Sequence, residues 1–185
     1  MDLFEAIYLR QSIGKVKPDP VPRELIEKML AAAAQAPNHY KVRPWRFVVM
    51  TGAARERLGA VMAQSMRKRD PGAKEEALAV ERARPLRAPV LIAVGVDKPR
   101  EPKVVEIENV CAAAAATQNM LLAAQALGLA TYWRTGRAAT DPDVKAFLGF
   151  EPDQHVIGFI YVGYPLAEPG RVERLGPEDR TVWMD

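Results

Sequence analysis

The feature that most constrains this chain is an apolar run over residues 110–132, dominated by alanine, leucine and methionine. Gln118, Asn119 and Gln125 interrupt the run, and alanine transfers only weakly into lipid. The run therefore predicts a long helix, ending near Gly128, that is buried in protein rather than one that spans a membrane. Its small side chains allow another helix to approach closely, for example one from a second subunit.

Shorter elements flank this central helix on both sides. Apolar, β-prone runs predict strands, and amphipathic stretches predict helices, the longest of which is broken at Asp70-Pro71-Gly72. The strands are expected at residues 46–51, 90–96, 130–134 and 156–162, and the helices at 2–10, 22–36, 53–86 and 141–149. Because helices and strands alternate, the class is α/β or α+β. A length of 185 residues predicts one domain, residues 1–185, with a sizeable core.

The charge balance limits the partners. A net charge of +3 suits an anionic ligand, but the sequence has no dense basic stripe of the kind that binds nucleic acid. The densest cluster, Arg67-Lys68-Arg69, is interpreted as a solvated helix end. The acidic, amphipathic N-terminus does not resemble a signal peptide, so a cytoplasmic location is expected.

The single cysteine and the two histidines limit the chemistry. Cys111 has no partner for an intramolecular disulfide, and its alanine-rich surroundings predict a buried, unreactive thiol. His39 and His155 are too few for a histidine metal site. His155, at a strand start, is expected to be structural. Asp141 precedes Pro142 and is expected to cap a helix rather than to act as an acid.

Two distant segments carry the donors that a compact anion requires. They are Arg10-Gln11-Ser12, at the end of the first helix, and Tyr132-Trp133-Arg134-Thr135-Gly136, at the end of a predicted strand. Each offers a guanidinium beside a hydroxyl group and free backbone donors, which is the set that binds phosphate. Both segments are therefore candidates for one ligand site.

Five segments in this order resemble the FMN-dependent nitroreductase family. They are Arg10-Gln11-Ser12, Ala36-Pro37-Asn38-His39, Pro44-Trp45-Arg46-Phe47, the stretch 128–136 that ends in Trp133-Arg134-Thr135-Gly136, and Gly163-Tyr164-Pro165. The resemblance covers residues 3–165. It implies an α+β, three-layer α/β/α sandwich with a central, mostly antiparallel sheet, a long central helix and termini that form a dimer.

The resemblance also implies function. It implies a homodimer with FMN at the subunit interface, and NADH or NADPH as the electron donor in a ping-pong reaction. The electron acceptor would be a small molecule such as a nitro compound or a quinone. The residues carried over as FMN contacts are Arg10, Gln11, Ser12, Gln35, His39, Trp133, Arg134 and Thr135. No nucleophile, general base or metal ligand is expected.

The sequence also leaves two alternative functions open and predicts the packing of two apolar segments. Ser12 and Lys15 match the Ser-x-x-Lys motif of acyl-serine enzymes, although Gly14 disfavours the helix that this motif needs. A non-catalytic flavin or nucleotide carrier fits the same residues. Trp45 is expected to pack in the core rather than against a flavin. The apolar tail at residues 181–184 is expected to dock on a neighbour, since an isolated terminus does not need such residues.

Overall fold

The computed structural model describes residues 1–170 and 172–184 and contains six α-helices and four strands within them. In chain order, the elements are α1 (Leu3–Leu9), α2 (Arg23–Ala33), β1 (Trp45–Thr51), α3 (Ala53–Arg69), α4 (Glu75–Ala83), β2 (Val90–Val96), α5 (Glu106–Ala126), β3 (Ala130–Arg134), α6 (Pro142–Leu148) and β4 (His155–Gly163). The long alanine-rich run thus forms one helix, α5, as predicted.

The four strands form one sheet in the order β1-β2-β4-β3, with every neighbouring pair antiparallel. Ile92 of β2 lies opposite Ile160 of β4, and Ile160 lies opposite Trp133 of β3. The two central strands are the most apolar, because both of their faces are covered. Helices and antiparallel strands together define the α+β class.

Two separate hydrophobic clusters cover the two faces of the sheet and produce three layers. On one face, Met29 of α2 and Met120 of α5 pack against Ile160. On the other face, Leu58 of α3 and Val144 of α6 pack near Phe159. Alternate residues of a strand point to opposite faces, so Ile160 and Phe159 contribute to different clusters. The predicted three-layer sandwich is confirmed.

Local capping explains where α6 begins and ends. The Asp141 carboxylate accepts hydrogen bonds from the backbone N–H groups of Asp143 and Val144, and Gly149 ends the helix in the left-handed conformation. Asp141 also accepts a hydrogen bond from the Ser65 hydroxyl at 2.6 Å and contacts the Arg69 guanidinium. The prediction that Asp141 is a helix cap is confirmed. Arg69, predicted to be solvated, ties α3 to α6 instead.

Large apolar side chains are exposed at both ends of the chain. Phe4 and Tyr8 of α1 are 67% and 72% exposed, and Val182, Trp183 and Met184 of the tail are 83%, 87% and 92% exposed. Trp45, in contrast, lies in the core, as predicted. Large apolar side chains exposed in this way favour an interaction surface at the two ends of the chain.

Candidate functional site

The segment Arg10-Gln11-Ser12 lies beside the start of β3. Helix α1 ends at Leu9, and Ser12 then forms a parallel bridge with Thr131 while the Ile13 N–H donates to the Thr131 carbonyl at 2.8 Å. This segment is extended, so Lys15 does not lie one helical turn from Ser12. The acyl-serine alternative, which requires that helical turn, is therefore wrong.

The Arg10 side chain carries unbalanced positive charge. Its guanidinium is half-buried, and burial together with the neighbouring Arg174 lowers the Arg10 pKa. Arg174 also donates to the Arg10 carbonyl oxygen at 2.5 Å. Within residues 1–170 and 172–184, no carboxylate forms an ion pair with either guanidinium. Two adjacent cations without a counter-charge favour an anionic ligand.

A cavity of about 470 Å³ adjoins this cationic pair. Arg10 and Gln11 line it together with Gln125 from the C-terminal half of α5 and the start of the tail at Glu168. The Gln11 amide donates to the Gly170 carbonyl at 2.7 Å, which holds the tail against this segment. The cavity is therefore large enough for more than a phosphate group.

Another predicted residue, His39, lies near the start of α5. His39 begins a short 3₁₀ helix (His39–Lys41), and its Nε2 atom lies 3.8 Å from Glu108 Oε1. Gln35 precedes this segment and follows the end of α2. His39 and Glu108 line a cavity of about 600 Å³ on the outward face of α5. The Glu108 Oε2 atom is buried and has no hydrogen-bond partner in the described part of the chain. An unpartnered buried acceptor of this kind is costly, so it favours a donor from a ligand or a second chain.

The loop that carries His39 has an unusual backbone. Tyr40, Lys41 and Arg43 all have positive φ, between 49° and 56°, a region that few residues other than glycine occupy. The Asn38 side chain stabilises the loop, since it donates to the Ala36 carbonyl and accepts from the Arg43 N–H at 2.9 Å. A backbone held in this way positions His39.

The same cavity corrects the prediction for Cys111, which is exposed and lines the space beside His39. The alanine-rich context does not identify a buried position here, because α5 has two different faces. Ala112, Ala113 and Ala116 face the sheet and are buried, whereas Cys111 lies on the opposite side of the helix.

The Arg10 group and the His39 group do not meet within one chain. His39 contacts α5 at Glu108, and the Arg10 cavity reaches α5 at Gln125. At about 1.5 Å per residue, roughly 25 Å of helix separates these two positions. The two groups therefore line separate cavities at different positions along α5.

The side chains of the predicted segment at the end of β3 lie on both faces of the sheet. The Trp133 indole N–H donates to the Ile157 carbonyl at 3.0 Å, and the ring packs on the α5 side. Arg134 points to the α3 side, where its guanidinium lies 5.4 Å from the Tyr132 ring centroid. Arg134 and Thr135 line a separate cavity there. The Arg134 side chain therefore does not join Arg10.

Three residues at these sites were missed by the sequence reasoning: Glu108, Gln125 and Arg174. Glu108 and Gln125 lie on the outward face of α5, and the sequence does not show which face of this helix points outward. Arg174 lies in the polar tail, where no periodicity marks it. His155, predicted to be structural, contacts Glu106 at 2.5 Å and joins β4 to α5.

In the described residues, no group of three or more His, Cys, Asp or Glu side chains is arranged to hold a metal ion. No helix in the same residues is long and apolar enough to cross a membrane.

The fold and the site define an α+β protein with a cationic cleft beside the C-terminal half of its central helix. The Nitroreductase family model matches residues 7–164, and the chain belongs to that family. An Escherichia coli (strain K12) protein named "Putative NAD(P)H nitroreductase YdjA" is 32% identical over 166 residues, which are 89% of each chain.

Two solved structures share the fold. A nitroreductase-like family protein from Bacillus cereus superposes with a TM-score of 0.86 at 24% identity, and the match covers 100% of this chain and 97% of that one. A Desulfovibrio desulfuricans protein described as "a putative nitroreductase in complex with fmn" has a TM-score of 0.76 at 26% identity, with 100% and 98% coverage.

Proposed function

We propose that this protein is an FMN-dependent oxidoreductase that takes electrons from NADH or NADPH and passes them to a nitro compound, a quinone or another small acceptor. The observation that carries the proposal is the half-buried Arg10 guanidinium, which lies beside Arg174 and has no ion pair within the described residues. Family membership and a relative named as an NAD(P)H nitroreductase support the donor.

The phosphate end of FMN fits the Arg10-Gln11-Ser12 segment. Arg10 supplies a charge-assisted donor, the Ser12 hydroxyl supplies a second donor, and the bridge to Thr131 fixes both. Because the Arg10 pKa is lowered by burial and by Arg174, a dianion relieves the repulsion between the two cations. The Desulfovibrio desulfuricans protein with the same fold is described with FMN.

The distance along α5 supports a homodimer. Since about 25 Å of helix separates the His39 group from the Arg10 group, one flavin cannot contact both groups of the same chain. A two-fold axis that crosses α5 pairs the N-terminal half of this helix with the C-terminal half of its copy. His39 and Gln35 of one protomer then complete the cavity that Arg10 begins in the other.

The remaining predicted residues would orient the ring. Gln11, Gln35 and His39 supply hydrogen-bonding groups for its polar edge. The strand end at 133–135 contributes backbone groups and the indole of Trp133, because the Arg134 side chain points to the other face. When bound, FMN supplies the hydride-accepting chemistry, so the chain needs no nucleophile or base of its own.

The two substrates would use one open face of the ring in turn, which predicts ping-pong kinetics. We also propose that residues 1–185 form one nitroreductase-like domain, and that the protein works in the cytoplasm.

The absorption spectrum of the purified protein, before and after heat release of any chromophore, tests this proposal. We expect a flavin spectrum, release of FMN, and oxidation of NADH or NADPH with a quinone as acceptor. A protein that binds FMN but oxidises neither dinucleotide would be a carrier. A colourless protein that takes up no added FMN contradicts the proposal.

Mixed dimers test the shared site. We expect the Arg10→Ala and His39→Ala homodimers to bind FMN weakly at both sites. A heterodimer of the two variants has one site with both changes and one unchanged site, so it should bind one FMN per dimer with unaltered affinity. If Arg10 and His39 served the same chain's site, no unchanged site would exist.

A further inference from the structure

The cavity that Arg134 lines is separate from the FMN site proposed above. It measures about 110 Å³ and lies on the α3 side of the sheet, beneath the turn that follows β3. Its floor is apolar and includes Leu58 and Met62 of α3 and Phe159 of β4. These residues belong to the core cluster opposite α5. The floor favours an apolar body rather than a hydrated ion.

The rim of the cavity is cationic. Arg134 and Arg137 line it without an ion pair in residues 1–170 and 172–184, whereas Arg84 is paired with Glu81 at 2.9 Å. The Arg134 guanidinium lies over the face of Tyr132, which holds the charge at the rim. Two guanidiniums without a counter-charge provide parallel N–H donors of the geometry that carboxylate prefers.

Tyr161 adds a donor between the floor and the rim. It lines the cavity from β4, opposite Tyr132. Burial raises the pKa of the Tyr161 hydroxyl, although Arg134, Arg87 and Arg84 oppose the shift. The hydroxyl therefore remains protonated at neutral pH and can donate. Arg134, Arg137 and the Tyr161 hydroxyl can all donate, so the complementary ligand carries acceptor groups.

We propose that this cavity binds a small carboxylate with a compact aliphatic body, whose oxygens accept hydrogen bonds from Arg134, Arg137 and the Tyr161 hydroxyl. The size supports this class, since a dry cavity of about 150 Å³ holds a benzene ring. A cavity of about 110 Å³ suits a branched chain of a few carbons, with the carboxylate at the open rim. The proposal uses the Arg134 side chain, which points away from the flavin cleft, and does not depend on FMN.

Calorimetric titration with 3-methylbutanoate tests the proposal on the protein as it is purified, whatever its oligomeric state. We expect saturable binding of the carboxylate and at least tenfold weaker binding of 3-methylbutanamide, which has the same shape without the charge. Arg137→Gln should weaken carboxylate binding about tenfold, and Arg137→Lys should weaken it less. Arg57→Gln is the matched control, because it removes an exposed arginine of α3 outside the cavity.

Four results would overturn the proposal. Three of them are no saturable binding, equal binding of the carboxylate and the amide, and equal weakening by Arg57→Gln and Arg137→Gln. Inorganic phosphate that binds more tightly than 3-methylbutanoate would also overturn it, because the apolar floor would then contribute nothing. Loss of the flavin by Arg10→Ala should leave carboxylate binding unchanged, so failure of the FMN proposal is distinguishable from failure of this one.

Discussion

Replacement of Arg10 by alanine should have opposite consequences with and without the flavin. With FMN, the variant loses a charge-assisted hydrogen bond to phosphate, which contributes about 1.5–3 kcal/mol. At about 1.4 kcal/mol per factor of ten, the dissociation constant should rise roughly 10- to 150-fold. Without FMN, the variant loses only a guanidinium that is repelled by Arg174, so the free energy of unfolding should be unchanged or higher.

Fluorescence titration of FMN with flavin-free protein measures the first effect, and urea unfolding of the same preparation measures the second. Arg10→Lys keeps the charge but loses the planar donor pair, so its affinity should be intermediate. Arg23→Ala is the matched control: it removes an exposed arginine that is paired with Glu27 at 2.7 Å and does not line the cleft.

Salt provides a second measurement for the Arg10 variant. The affinity of the unchanged protein should fall as ionic strength rises, and the Arg10→Ala variant should show a smaller dependence, since one cation has been removed. A dissociation constant of Arg10→Ala for FMN within twofold of that of the unchanged protein would refute the contact between Arg10 and the phosphate. The contact is equally refuted if Arg23→Ala weakens binding as much.

Three further perturbations test other parts of the structure. Truncation after Glu168 removes the exposed Trp183 and its neighbours and should dissociate the proposed homodimer in sizing chromatography, whereas an intact dimer would contradict the docking of the tail. Asp141→Asn should lower the urea midpoint at pH 7. Burial raises the Asp141 pKa, but the hydrogen bonds from Ser65 and Val144 and the charge of Arg69 outweigh it, so the net shift is downward. The resulting stabilisation is present above the pKa of the unfolded state and is lost as the pH falls through the pKa of the folded state. The difference from the unchanged protein should therefore shrink in acid, and a constant difference would contradict this assignment. Gly158→Ala places a Cβ 2.3 Å from the Trp133 indole nitrogen and 2.7 Å from the Arg134 carbonyl oxygen. The free energy of unfolding in urea should fall by about 1–3 kcal/mol, and FMN binding should weaken. Unaltered stability would show that β3 adjusts freely.

The elements could be predicted from the sequence because their signals are local. Strand β2 is a continuous apolar run, and α6 lies between the cap Asp141 and Gly149, so the pattern and the end signals coincide. The sheet order could not be predicted in the same way. Strand β4 inserts between β2 and β3 through pairings that are distant in sequence, and no local pattern encodes them.

The candidate site was predictable only as separate parts. Arg10 and Ser12 stand together because a bridge to Thr131 holds an extended segment, and the motif itself indicates a phosphate donor set. Arg134 follows the same reasoning in sequence, but the alternation of β3 directs its side chain to the opposite face of the sheet. The sequence motif, a guanidinium beside a hydroxyl group, thus identified hydrogen-bond donors but not the face of the sheet to which each side chain points.

The wrong prediction for Cys111 and the separation of the two site groups have a common explanation. An alanine-rich helix has little contrast between its faces, so the sequence alone does not reveal that Cys111 and Ile107 lie away from the sheet. Those residues lie on the outward face of α5, where Glu108 also keeps an unpartnered buried oxygen. A second copy of α5 on this face would cover the apolar residues and bring a second chain's Arg10 toward His39. The proposed homodimer interface would account for the exposed Cys111, for the unpartnered Glu108 oxygen and for the roughly 25 Å of helix that separates His39 from Arg10.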